Sequence, residues 1–189
     1  PNDGLSSPRS ALAADHISWA FREALPSPAL RYFIDRAQRD DLHWPITYML
    51  RGIDHPDAVE FISHEFAANS RASEGTDRFW PFPSTVRSDW ERKQTERGKA
   101  MSLASRQRLR ELWASTENDK HLRHQAFLLW AATSARDDVA LLRAVEDPGP
   151  LADDILRARL KRGDSTAIPP LLNKINADAN EALRQPEML

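Results

Sequence analysis

Between Arg87 and Arg110 the chain sets eight basic side chains (Arg87, Arg92, Lys93, Arg97, Lys99, Arg106, Arg108, Arg110) among three acidic ones (Asp89, Glu91, Glu96). The stretch carries a local charge of +5. Lys and Arg neutralise phosphates, and aromatic rings stack on unpaired bases. Aromatic residues stand just upstream, in Phe79-Trp80-Pro81-Phe82-Pro83, with Trp90 inside the basic run. Arg87, Arg92, Lys93, Arg106 and Arg110 are therefore the candidate nucleic-acid contacts. The alternative is a solvated helix face, and two facts favour it. No other segment extends the basic stripe, and the whole chain is slightly acidic at −2.

The aromatic run has its own chemistry. Three rings and two prolines make a stiff apolar segment. Phe79, Trp80, Phe82 and Trp90 are the candidate contacts for a protein partner, because buried aromatics dominate interface energies. The same segment could instead fold back and fill a gap in the core. His121 and His124 stand three apart on an expected helix, near Glu117 and Asp119, which is the spacing for two ligands of one metal. No third ligand follows at a recognisable spacing, so no metal site is assigned. There is no Gly-x-Ser-x-Gly, no cysteine and no phosphate loop. No carboxylate pair has a spacing that demands acid–base work. Neither a catalytic residue nor a cofactor is assigned.

These residues need elements to hold them. The chain has 189 residues, 41% apolar and 29% charged, with 13 prolines against 6 glycines. That composition favours many short helices over a sandwich or barrel. The absence of cysteine excludes disulfides and thiolate metal sites and is compatible with a reducing cytoplasm. No run reaches the ~18 apolar residues of a membrane span, and no signal peptide is visible. A cytoplasmic protein is expected.

Pro1–Ser10 reads as a tail. Ala29–Gln38 is an amphipathic helix with Leu30, Phe33, Ile34 and Ala37 on one face. Ala58–Ala68 is another, carrying Val59, Ile62 and Phe66. Residues 69–87 fit no period and read as an inserted loop. Ser88 and Glu91 form a capping box for a helix running to about Ala114, with a break near Gly98. Further helices are expected over Asn118–Thr133, Val139–Val145 (capped by Asp137 and Asp138), Leu151–Arg162 and Ser165–Ile175. A partly ordered tail follows from 179 to 189. Trp44, Trp113 and Trp130 fall in apolar helical stretches and read as core.

Apolar pairs three residues apart recur at Leu30/Phe33, Val59/Ile62, Leu109/Leu112, Val139/Leu142 and Ile168/Leu171. Successive pairs are separated by 29, 50, 30 and 29 residues, and the aperiodic loop lies inside the long interval. A two-helix unit with a period near 30 cannot bury its stripe alone, and stacking buries it. Leu156-Arg157, Gly163-Asp164 and Ala167-Ile168-Pro169-Pro170-Leu171-Leu172 resemble the HEAT-like repeat family, in the short form of phycobilisome-lyase-type repeats. Leu122-Arg123 with Asp138, Val139 and Leu142 resembles it too, as does Asp57-Ala58-Val59-Glu60-Phe61-Ile62.

The resemblance spans residues 28–178. It implies an all-α, right-handed α-solenoid of about five helix pairs, forming one domain over residues 11–178. It implies no particular activity. Most such arrays are interaction scaffolds, and a minority act on chromophores or nucleic acid. The function expected is a non-enzymatic scaffold that binds a protein through the solenoid surface and the Phe79–Trp90 region. The alternatives are nucleic-acid binding through residues 87–110 and a lyase- or chaperone-like hold on a bulky ligand.

Overall fold

Leu30, Phe33, Ile34 and Ala37 share one face at helical spacing, and the segment folds accordingly as α1, Ser27–Arg39. The computed structural model describes residues 27–39, 47, 50, 53–73, 101–133 and 138–184. Leu30 and Ala37 are buried, and Phe33 and Ile34 are half-buried. Six further helices follow among the described residues: α2 (Pro56–Ser73), α3 (Leu103–Ala114), α4 (Lys120–Ala132), α5 (Asp138–Arg143), α6 (Ala152–Lys161) and α7 (Ile168–Arg184). Short 3-10 turns at Gly149–Leu151 and Ser165–Ala167 lead into α6 and α7. The protein is all-α, and no strand occurs among the described residues. No described helix is long and apolar enough to cross a membrane.

The described residues fall into two compact units on either side of a boundary after Thr133. In the first, α2 starts where Pro56 fits the first turn and Asp57 complements the positive end of the helix. His55 Nδ1 accepts the Asp57 backbone N–H at 3.2 Å, taking up one of the N–H groups that the helix start leaves open. The helix runs to Ser73, five residues beyond the expected stop at Ala68, so the start of the expected loop is helical. Asn69–Ser73 holds neither Pro nor Gly to end it. Arg71 Nε bonds back to the Ala67 carbonyl at 3.3 Å, and Ser70 Oγ is held by His121 Nδ1 at 3.2 Å.

Two ties fix α2 and α3 in the same direction. At their starts the Asp54 carboxylate accepts both the N–H and the O–H of Ser102, each at 2.7 Å. Further along, Arg108 grips Glu60 with two guanidinium nitrogens, Nε lying 2.9 Å from Oε2. Ser102 is also the N-cap of α3, accepting the Ser105 N–H. The turn 115–119 then reverses the chain. Asn118 closes it by donating to the Leu112 carbonyl at 2.8 Å, and Asp119 caps α4 through the N–H groups of His121 and Leu122. α4 therefore runs antiparallel to α3 and covers the stripes of α2 and α3. Leu122, Ala126, Leu129 and Trp130 meet Val59, Ile62, Leu109 and Leu112 in one buried core. Trp113, Phe127 and Trp130 form an aromatic cluster with ring centres 5.4–5.9 Å apart. Trp113 and Trp130 are core, as their positions predict; Trp44 lies outside the described residues.

In the second unit Leu142, Leu151, Ile155, Ala158 and Ala167 make a small core. α6 ends at Gly163, whose φ of +84° closes a Schellman motif. Its N–H bonds to the Leu160 carbonyl at 2.9 Å, and the Asp164 N–H bonds to the Arg159 carbonyl at 3.1 Å. The sequence places Ile168 on the inward face of α7, and here the structure corrects it. Ile168 is 41% exposed, and Ala167 beside it is the buried residue. The 3-10 turn at Ser165–Ala167 rotates the start of α7, so the inward position moves back by one.

Candidate binding groove between the first two helices

The walls of a groove of about 440 Å³ come from α1 and α2. Arg31, Ile34, Asp35 and Gln38 stand at helical spacing on α1, and Asp57, Glu60, Phe61, His64 and Glu65 do so on α2. The sides of each helix turned to the core are apolar, so the groove is bounded by what remains. Ile34 and the buried Phe61 form an apolar floor, and the flanks are polar.

Among the described residues four carboxylates line the groove against one guanidinium. Arg31 pairs with Asp57 at 3.4 Å, an exposed contact worth little by itself. Glu60 is oriented from behind by Arg108, which also holds Glu111 at 3.0 Å. The Glu60 hydrogen bond, with that of Glu111, raises the Arg108 pKa above its ordinary value, although partial burial opposes it. The same Arg108 contact lowers the Glu111 carboxyl. Among the described residues no Ser, Thr, Cys or Lys lines the groove. Its carboxylates and apolar residues can hold a chain by hydrogen bonds and charge around an apolar anchor.

The residues singled out from sequence are distributed differently. Phe79, Trp80, Phe82, Arg87, Trp90, Arg92 and Lys93 lie outside the described residues. Arg106 is half-buried, with its guanidinium 5.1 Å from the centre of the Trp130 ring and Nη1 donating to Thr133 Oγ1 at 2.7 Å. It fastens the start of α3 to the end of α4. Arg108 is taken up by Glu60 and Glu111, while Arg110 is exposed. His121 binds Ser70, and its backbone N–H is capped by Asp119. Burial raises the Asp119 pKa, but the N–H bonds from Leu122 and His121 outweigh it and the net shift is downward. Among the described residues no group of three His, Cys, Asp or Glu could hold a metal ion.

Sequence reasoning missed the groove. Its signal was present in the spacing of Asp57, Glu60, His64 and Glu65 along the polar face of α2. That pattern is also what any solvated helix face shows, and only the placement of α1 beside it makes a groove. Comparison with family models, with curated proteins and with solved structures finds no match to this chain.

Proposed function

We propose that the protein is a non-enzymatic interaction module, a HEAT-like, right-handed α-solenoid that holds a segment of a partner protein in the α1–α2 groove. The observation that carries this reading is the groove itself, with its carboxylate flanks over the Ile34–Phe61 floor. Its charge favours a segment bearing Lys or Arg, with one apolar side chain to reach the floor. The codirectional α2 and α3, covered by an antiparallel α4, support the repeat reading. The Phe79–Trp90 stretch is proposed as a second contact for the same partner.

Display of random peptides against the full chain tests this. Gln38→Trp with His64→Trp fills the groove from both exposed walls. The peptides selected should be rich in Lys and Arg around an apolar residue, and the filled variant should bind them roughly tenfold more weakly or worse. Peptides of random charge, or equal binding to the filled variant, would reject the reading. Loss of binding in a Phe79/Trp80/Phe82-to-Ala variant would assign the second contact.

A further inference from the structure

Glu60 lines the α1–α2 groove, but the residue that grips it does not. Arg108 reaches it from α3, with Nε donating to Oε2 at 2.9 Å and Nη2 donating to Oε1. One planar fork thus takes both oxygens side-on. A carboxylate has about four lone-pair sites, and such a fork uses the pair that converges. The two that remain, one on each oxygen, diverge. Nη1 of the same guanidinium donates to Glu111 Oε2 at 3.0 Å. One positive charge therefore serves two carboxylates, and Glu60, Arg108 and Glu111 together stay net negative.

Glu60 accordingly attracts a cation from the groove, yet it has no second fork to offer. A guanidinium arriving there meets a single lone pair and crowds the like charge of Arg108. An ammonium is a compact point charge with rotatable donors, and one lone pair satisfies it. On an ordinary acidic surface arginine gains from its fork, so a preference for lysine is not what charge alone gives. Resting on the reading of the groove as a seat for a basic segment, we infer that it selects lysine over arginine at the position facing Glu60. Arg108 is the positioning residue that sets this choice, because it fills the fork from outside the groove.

Two labelled peptides test this, Lys-Lys-Leu-Lys-Lys and Arg-Arg-Leu-Arg-Arg, titrated with the full chain by fluorescence polarisation. The unmodified chain should bind the lysine peptide at least about threefold more tightly than the arginine peptide. Arg108→Met opens the fork of Glu60 and should bring the two peptides level or favour arginine. Arg108→Lys keeps the positive charge without the planar fork and should shift the ratio in the same direction, which a pure charge effect would not do. Arg108 is half-exposed and both replacements are good helix formers, so helicity by circular dichroism should not change. Equal binding of the two peptides by the unmodified chain, a preference for arginine, or a ratio that either variant preserves overturns the inference and leaves the groove reading standing. If neither peptide binds, or both bind equally well to the Gln38→Trp, His64→Trp variant, the groove reading falls and the inference with it.

Discussion

Asp164 is a buried carboxylate held by three side chains. Arg143 reaches it through Nε at 3.0 Å and Nη2 at 2.6 Å, Arg159 through Nε at 2.8 Å, and Thr166 through Oγ1 at 2.6 Å and its backbone N–H at 3.1 Å. The Asp164 side chain is fully covered. These donors, Arg143 first, hold its carboxyl well below the ordinary carboxylate range, although burial opposes them. Below about pH 4 the unfolded chain takes up this proton while the folded chain still refuses it. The stability Asp164 contributes is thus complete above that pH and is lost as the pH falls toward the lowered folded value. Asp164→Asn should lower the thermal midpoint of residues 134–189 at pH 7, because two guanidinium groups then face each other without an anion. It should also flatten the acid limb of the profile between about pH 4 and pH 2. Thermal melts by circular dichroism across pH check both, and an unchanged acid limb would deny the carboxylate this role. Gly163-Asp164 is legible in the sequence as a turn, since the Gly fits a C-terminal position of α6. Its partner Arg143 is not, because a contact across 21 residues depends on where α5 sets its side chains.

At the scale of elements, the link between Asp54 and Ser102 starts α2 and α3 side by side. Ser102→Ala removes an N-cap acceptor and one of the two bonds to Asp54, and should cost about 1–2 kcal/mol. Asp54→Ala removes both bonds but leaves the cap. The double mutant should lose less than the two single changes together, because they share that hydrogen bond. Urea unfolding followed by tryptophan fluorescence measures the cycle, and strict additivity would show that the hydroxyl bond from Ser102 to Asp54 contributes nothing. The helices themselves were legible wherever an apolar stripe met a cap: Leu30 with Ala37, Val59 with Ile62, and Leu109 with Leu112 all turn inward. Two things escaped. The inward register of α7 was hidden by a 3-10 turn that apolar spacing does not reveal. The fate of Arg106 was hidden because a basic residue stacked on Trp130 and one facing solvent look alike in sequence.

Over the whole molecule, aromatic content separates the two units. All six tryptophans, both tyrosines and all seven phenylalanines precede residue 134. The second unit folds without a ring, and its described core rests on Leu142, Leu151, Ile155, Ala158 and Ala167. Units of such size bury a small fraction of their surface and are marginal. Circular dichroism, which sees every helix, should therefore show loss of helix at a lower temperature than tryptophan fluorescence, which sees only residues before 134. Asp164→Asn should widen that gap by lowering the early step alone. Coincident transitions in both signals would show that the units melt as one and that the small core is not the weaker of the two.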